Sequence, residues 1–74
     1  MTVGKRLQTA RKRAGLTQKA LAQKCGLATG TIQQYELDKR IPKNKEIVEK
    51  IADTLGISGV YLLWGERGNN TDLE

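Results

Sequence analysis

Few side chains in this sequence can do covalent chemistry, and many can hold a polyanion. The 74 residues include one cysteine and no histidine. Cys25 shares a helical apolar spacing with Leu21 and Ala22 and has no histidine to activate it, so it reads as a small buried hydrophobe and not as a nucleophile. One cysteine without histidine cannot build a structural zinc site. Neither a GxGxxG loop nor a P-loop is present, and Glu46 and Glu49 read as solubilising charge on an exposed helix face. The chain is therefore expected to be no enzyme and to use no metal or cofactor. What remains is a set of amides, hydroxyls and cations. Thr29, Gly30, Gln33 and Gln34 fall within one short stretch, flanked by Gln18, Lys19, Lys39, Arg40 and Lys43. A glutamine amide matches adenine N6/N7, a threonine methyl can touch the methyl of thymine, and Lys and Arg bind phosphate.

The charge is distributed accordingly. Residues 1–45 hold eleven Lys and Arg against two acids, Glu36 and Asp38, whereas residues 46–74 hold two against six. A basic half joined to an acidic half implies one face directed at a polyanion; the alternative is a solvated basic surface. A chain of this length allows one domain with a small core. A single cysteine excludes a disulfide, no apolar run nears the ~20 residues of a membrane span, and the N-terminus lacks the apolar segment of a signal peptide. A cytoplasmic protein, nucleoid-associated in a bacterial host, is the expectation. With one proline and three aromatic residues, strand and hairpin patterns find no support.

The elements that must position these residues follow from caps and periodicity. In LTQKALAQKCGLATGTIQQYELDKRIP, residues 16–42, Thr17 can cap a helix from Gln18 to Cys25, and Gly26 can stop it in the left-handed conformation. A second helix can run from Thr29 to about Leu37 with Ile32 and Tyr35 inward. Two short helices joined by so few residues around a glycine must cross steeply, as in a helix-turn-helix. Upstream, Val3, Leu7, Ala10 and Ala14 recur at helical spacing, giving a helix over residues 3–14 that ends at Gly15. Its other faces carry Lys5, Arg6, Arg11, Lys12 and Arg13 as a basic outer edge. Downstream, Asn44 can cap a helix from Lys45 to Leu55 with Ile47, Val48, Ile51 and Leu55 inward, and Gly56 ends it. Ser58 can start a fifth helix, GVYLLW, from Gly59 to Trp64. Val60, Tyr61 and Leu63 are expected to close the core, leaving Leu62 or Trp64 exposed.

Taken in register, Leu16-Thr17-Gln18, Leu21-Ala22, Gly26, Ile32, Glu36, Arg40 and Pro42 resemble the helix-turn-helix of phage repressors and Cro-type proteins, with likeness extending from about Val3 to Gly65. The resemblance implies an all-α, five-helix, lambda repressor-like domain over residues 1–65, followed by a polar, disordered tail over 66–74 that could begin a linker to a further domain. It implies a transcriptional regulator, of repressor type, that reads a two-fold double-stranded DNA operator in the major groove with its third helix. Thr29, Gly30 and Gln34 correspond to base-reading positions, with Gln33 a further base or sugar contact. Gln18 corresponds to a phosphate contact in the first turn of the second helix. Lys19, Lys39, Arg40 and Lys43 are expected on the DNA backbone, with a narrow minor groove as the alternative for Arg40. Arg11 corresponds to an arginine that pairs with the glutamate after the recognition helix, here Glu36; the alternative is a solvated cation. The dimer contact of such proteins lies near the fifth helix, which places Leu62 and Trp64 in a homodimer interface, unless they only cover the monomer core.

Three positions depart from the family pattern. Ala28 stands where Ser or Thr usually caps the recognition helix, so Thr29 could cap instead. Gly30 costs that helix roughly 0.5–1 kcal/mol relative to alanine and offers no donor; it either lets the backbone approach DNA closely or leaves a base pair unread. Asp38 replaces a glycine at the following turn, which it can survive because aspartate tolerates left-handed backbone. The same fold also serves antitoxins and restriction-controller proteins, and a helix-turn-helix can be turned against another protein; these are the alternatives.

Overall fold

Five helices follow one another in the order α1 (Val3–Arg13), α2 (Gln18–Cys25), α3 (Thr29–Glu36), α4 (Lys45–Leu55) and α5 (Gly59–Trp64). The structure, a computed structural model, describes residues 1–65; the disorder expected of residues 66–74 falls outside the described residues. Four helices begin at a side-chain cap. Thr2 accepts from the Lys5 amide, Thr17 from Ala20, Asn44 from Glu46 and Ile47, and Ser58 from Tyr61. The exception is α3: Ala28 occupies its cap position and offers no side-chain bond, and Thr29 is the first helical residue and does not cap in its place.

The helix ends use one device three times. After Gly15, Gly26 and Gly56 the next residue donates its N–H back into the last turn: Leu16 to Arg11, Leu27 to Ala22 and Ile57 to Ala52, at 2.8–3.1 Å. Each of those residues is also apolar and packs against the core. Glycine at left-handed φ closes the carbonyl end while the following side chain fastens the connection inward. The connection from α2 to α3 is fixed this way, at Gly26 with φ 70°.

Each helix contributes one aliphatic side chain without solvent exposure: Leu7, Leu21, Ile32, Ile51 and Leu62. Ala10, Ala22, Cys25, Tyr35, Val48 and Leu55 complete the core. The fifth helix therefore turns differently from its expected orientation. Leu62 is wholly buried within the chain, so it is a core residue and presents no surface to a dimer partner. Val60, expected inside, is exposed, as is Trp64. Arg6 likewise leaves the basic outer edge. It is buried, with Nε donating to the Leu62 carbonyl and Nη2 to that of Leu63, both at 2.9 Å, and Nη1 to the Met1 carbonyl. A cation at the carbonyl end of α5 satisfies orphan acceptors and complements the helix dipole. Among the described residues no helix is long and apolar enough to cross a membrane.

The backbones of α1 and α3 approach closely at Gly4. A Cβ added at Gly4 would run into the carbonyl oxygens of Tyr35 and Glu36. Gly4→Ala should therefore push α1 away from the end of α3 and destabilise the fold by about 1–3 kcal/mol, read as a lower midpoint in urea. An unchanged midpoint would mean that the two helices separate freely.

Candidate nucleic-acid interface

The inner side of α3 is held from several directions. Ile32 and Tyr35 enter the core, α1 and α2 pack against the helix, and Gly4 brings the α1 backbone against its last turn. Beneath its C-terminal end sits a charged clasp. Arg11 Nε meets Glu36 Oε2 at 2.6 Å, and Nη2 meets Oε1 at 3.2 Å. The third side of the guanidinium donates to the Leu16 carbonyl at 2.8 Å, and Gln18 Nε2 donates to Glu36 Oε1 at 3.0 Å. The two charged side chains are only 10% and 3% exposed. Glu36 thus gathers α1 and α2 onto the end of α3, and its carboxylate accepts three hydrogen bonds from them. Gln18 is accordingly a shared residue: one amide hydrogen is committed to Glu36, leaving its second hydrogen and the unpaired first-turn N–H groups of α2 for an external anion.

The outer side of α3 carries Gly30, Gln33 and Gln34, all exposed, with Thr29 half-buried at its start. Thr29 and Gln33 lie one turn apart, as do Gly30 and Gln34, so the four form two adjacent stripes on one face. Leu37 ends the helix, exposed, in line with Gln33. Immediately beyond, the N–H groups of Lys39 and Arg40 fold back to the Gln34 carbonyl at 2.9 and 3.3 Å. Arg40 lies over the Tyr35 ring, 5.9 Å from its centroid, so cation–π attraction adds to the turn in holding that side chain beside α3. An open groove of about 540 Å³ follows between α3 and the start of α4, lined by Lys39, Arg40, Lys43, Asn44 and Tyr35 among others. Lys19 is exposed in the first turn of α2. The structure therefore gathers Lys39, Arg40 and Lys43 at the C-terminal end of α3. Trp64 lies on α5, which packs against α1 and α4, and it shares the lining of a groove with Lys43.

Sequence reasoning missed the partner of Asp38. This residue adopts φ 62°, and its Oδ1 accepts from the Gly4 amide at 2.9 Å. The carboxylate thus satisfies a free N–H at the start of α1 and ties that helix to the turn after α3. Hydrogen bonds from the Thr2 side chain and the Gly4 amide hold its pKa below the ordinary aspartate value of 3.8. The only signal in the sequence was an acid where a turn would favour glycine.

These features define a helix-turn-helix domain, and the chain belongs to the helix-turn-helix family, whose model matches residues 7–62. It is 37% identical over 76 residues to the HTH-type transcriptional regulator ImmR of Bacillus subtilis; the match covers 99% of this chain but 59% of that protein. Among solved structures it is similar to the P22 c2 repressor in complex with a synthetic operator, at TM-score 0.84 and 30% identity over 89% of this chain and 98% of the other. It also resembles SinR, the master regulator for biofilm formation, in complex with DNA, at TM-score 0.76 and 26% identity over 82% and 97%.

Two consequences are measurable. Glu36→Gln leaves Arg11 charged, buried and without its counter-charge, and should destabilise the fold by on the order of 3 kcal/mol, seen as a lower melting temperature; an unchanged melting curve would remove the clasp from the account. Asp38 has a lowered folded-state pKa, so its contribution is present above the ordinary aspartate range and is lost as pH falls through the folded value. The stability gap between the parent and Asp38→Asn should accordingly be open at pH 6 and close on acidification below about pH 4. A gap independent of pH would contradict the ionised cap.

Proposed function

We propose that this domain is a sequence-specific double-stranded DNA-binding regulator of repressor type, with α3 as the element that enters the major groove. The observation that carries this reading is the division of α3 into two sides. Its apolar side chains are spent in the core, its end is clasped by Arg11 and Glu36, and its polar side is left free beside a cluster of cations. An α-helix fits the major groove, where Gln33 and Gln34 can pair with adenine edges and Thr29 can reach a base near the helix start. Lys39, Arg40 and Lys43, together with Lys19 and the remaining donors of Gln18, supply phosphate contacts that position the helix without reading sequence. The DNA complexes of the P22 c2 repressor and of SinR, proteins of similar fold, support the same reading.

The domain is further proposed to act as a homodimer on a two-fold operator, with recognition helices about one turn apart, ~34 Å. The interface is assigned to Trp64 and Val60, 72% and 52% exposed on α5. An exposed tryptophan beside a valine is the kind of apolar surface that a partner covers.

The test separates reading from gripping. A duplex enriched from a random pool by the purified chain serves as the operator, and scrambled duplex as the competitor. Gln34→Ala should reduce the preference for the operator by about tenfold while sparing scrambled DNA. Lys39→Ala should weaken both alike and reduce the salt dependence by about one counterion. Identical behaviour of the two variants would overturn the division of roles.

A further inference from the structure

Asp38 stands among cations. It lines the groove beyond α3 together with Lys39, Arg40 and Lys43, and it is the one acid there. Its side chain is exposed. Among the described residues no lysine or arginine nitrogen comes within 4 Å of its carboxylate; the ion pair found is that of Arg11 with Glu36. The Gly4 amide, at 2.9 Å, satisfies an acceptor without cancelling the charge. Nor does that bond require an ionised group. An asparagine side chain has nearly the same shape and offers a carbonyl oxygen to the same N–H. It also tolerates the φ of 62° found at this position. The charge strengthens the bond, and it also puts a negative field beside the cations that face outward.

Resting on the DNA-binding reading above, we propose that Asp38 limits the affinity for duplex DNA: its carboxylate repels the backbone phosphate that the groove receives and offsets one of the three cations there. Phosphate recurs at every nucleotide, so the repulsion falls on every duplex whatever its sequence. Operator and scrambled DNA are therefore weakened alike, and the preference between them is left to the side chains on α3. One residue thus acts in two opposed ways. Its hydrogen bond joins the start of α1 to the turn after α3, and its charge restrains the grip of that turn on DNA. Removing the charge alone should move stability and affinity in opposite directions.

The experiment compares the full chain with Asp38→Asn and Asp38→Gly, by melting and by fluorescence anisotropy against the enriched duplex and scrambled duplex over a series of salt concentrations. At low salt Asp38→Asn should bind each duplex about threefold more tightly than the parent, the scale of one charge–charge repulsion across about 6 Å of water. The advantage should shrink toward parity as salt rises and shortens the screening length, and the melting temperature should fall at pH 6. A purely structural role would lower the melting temperature without tightening any complex. The proposal is overturned if folded Asp38→Asn binds no more tightly than the parent, if its advantage is confined to one duplex, or if salt does not diminish it. Should Asp38→Asn not fold, Asp38→Gly, which suits left-handed backbone, is read against the same outcomes. A parent that binds no duplex at all would instead defeat the DNA-binding reading itself, and the two failures are thus distinguished.

Discussion

The arrangement depends on a buried ion pair beneath the end of α3. Arg11 brings a planar fork to Glu36, and its remaining donor reaches the Leu16 carbonyl at the entrance to α2. Two charges so thoroughly removed from water are stabilising only when every donor and acceptor finds a partner, and here Gln18 supplies a further donor to the carboxylate. The consequence is geometric. An eight-residue helix with an uncapped start and a glycine in its first turn has little stability of its own. It is held by tertiary contacts at its far end, which fixes the direction in which Gln33 and Gln34 project.

The cations divide into two populations with different tasks. Arg6 and Arg11 are buried and serve backbone carbonyls and a carboxylate inside the fold. Lys39, Arg40 and Lys43 remain exposed and gather beyond α3, where the turn bonds to Gln34 and the Tyr35 ring restrict Arg40. One of the two acids in the basic half is consumed by the clasp. The other, Asp38, is bound to an amide at the start of α1. Asp38 is thus the one acid that lines the groove with Lys39, Arg40 and Lys43, on the surface proposed to meet phosphate, while α4 and the chain beyond it carry most of the acids.

Much of the scaffold could be read locally, because caps and stops depend on a few adjacent residues. Thr17, Asn44 and Ser58 at the helix starts, and Gly15, Gly26 and Gly56 at the ends, set boundaries that the structure reproduces. What could not be read depends on contacts distant in sequence. Six residues make fewer than two helical turns, too short for periodicity to choose a buried face, so Leu62 and Val60 were exchanged. Arg6 has the spacing of its solvated neighbours, and only the α5 carbonyls, 56 and 57 residues away, draw it inside. Gly4 and Asp38 were illegible for the same reason: their partners lie across the fold, and neither residue type announces them. Thr29, Gly30, Gln33 and Gln34 were legible as an outward group because α3 has two strong inward anchors in Ile32 and Tyr35.

The polar side of α3, held from below, is the surface proposed to meet duplex DNA. Amide resonances followed during titration with the enriched duplex test it most directly. The largest perturbations are expected at Gln18 and Lys19, across Thr29–Gln34 and through Lys39–Lys43, with the outer face of α4 little affected. Perturbations concentrated on α4, with α3 unmoved, would contradict it.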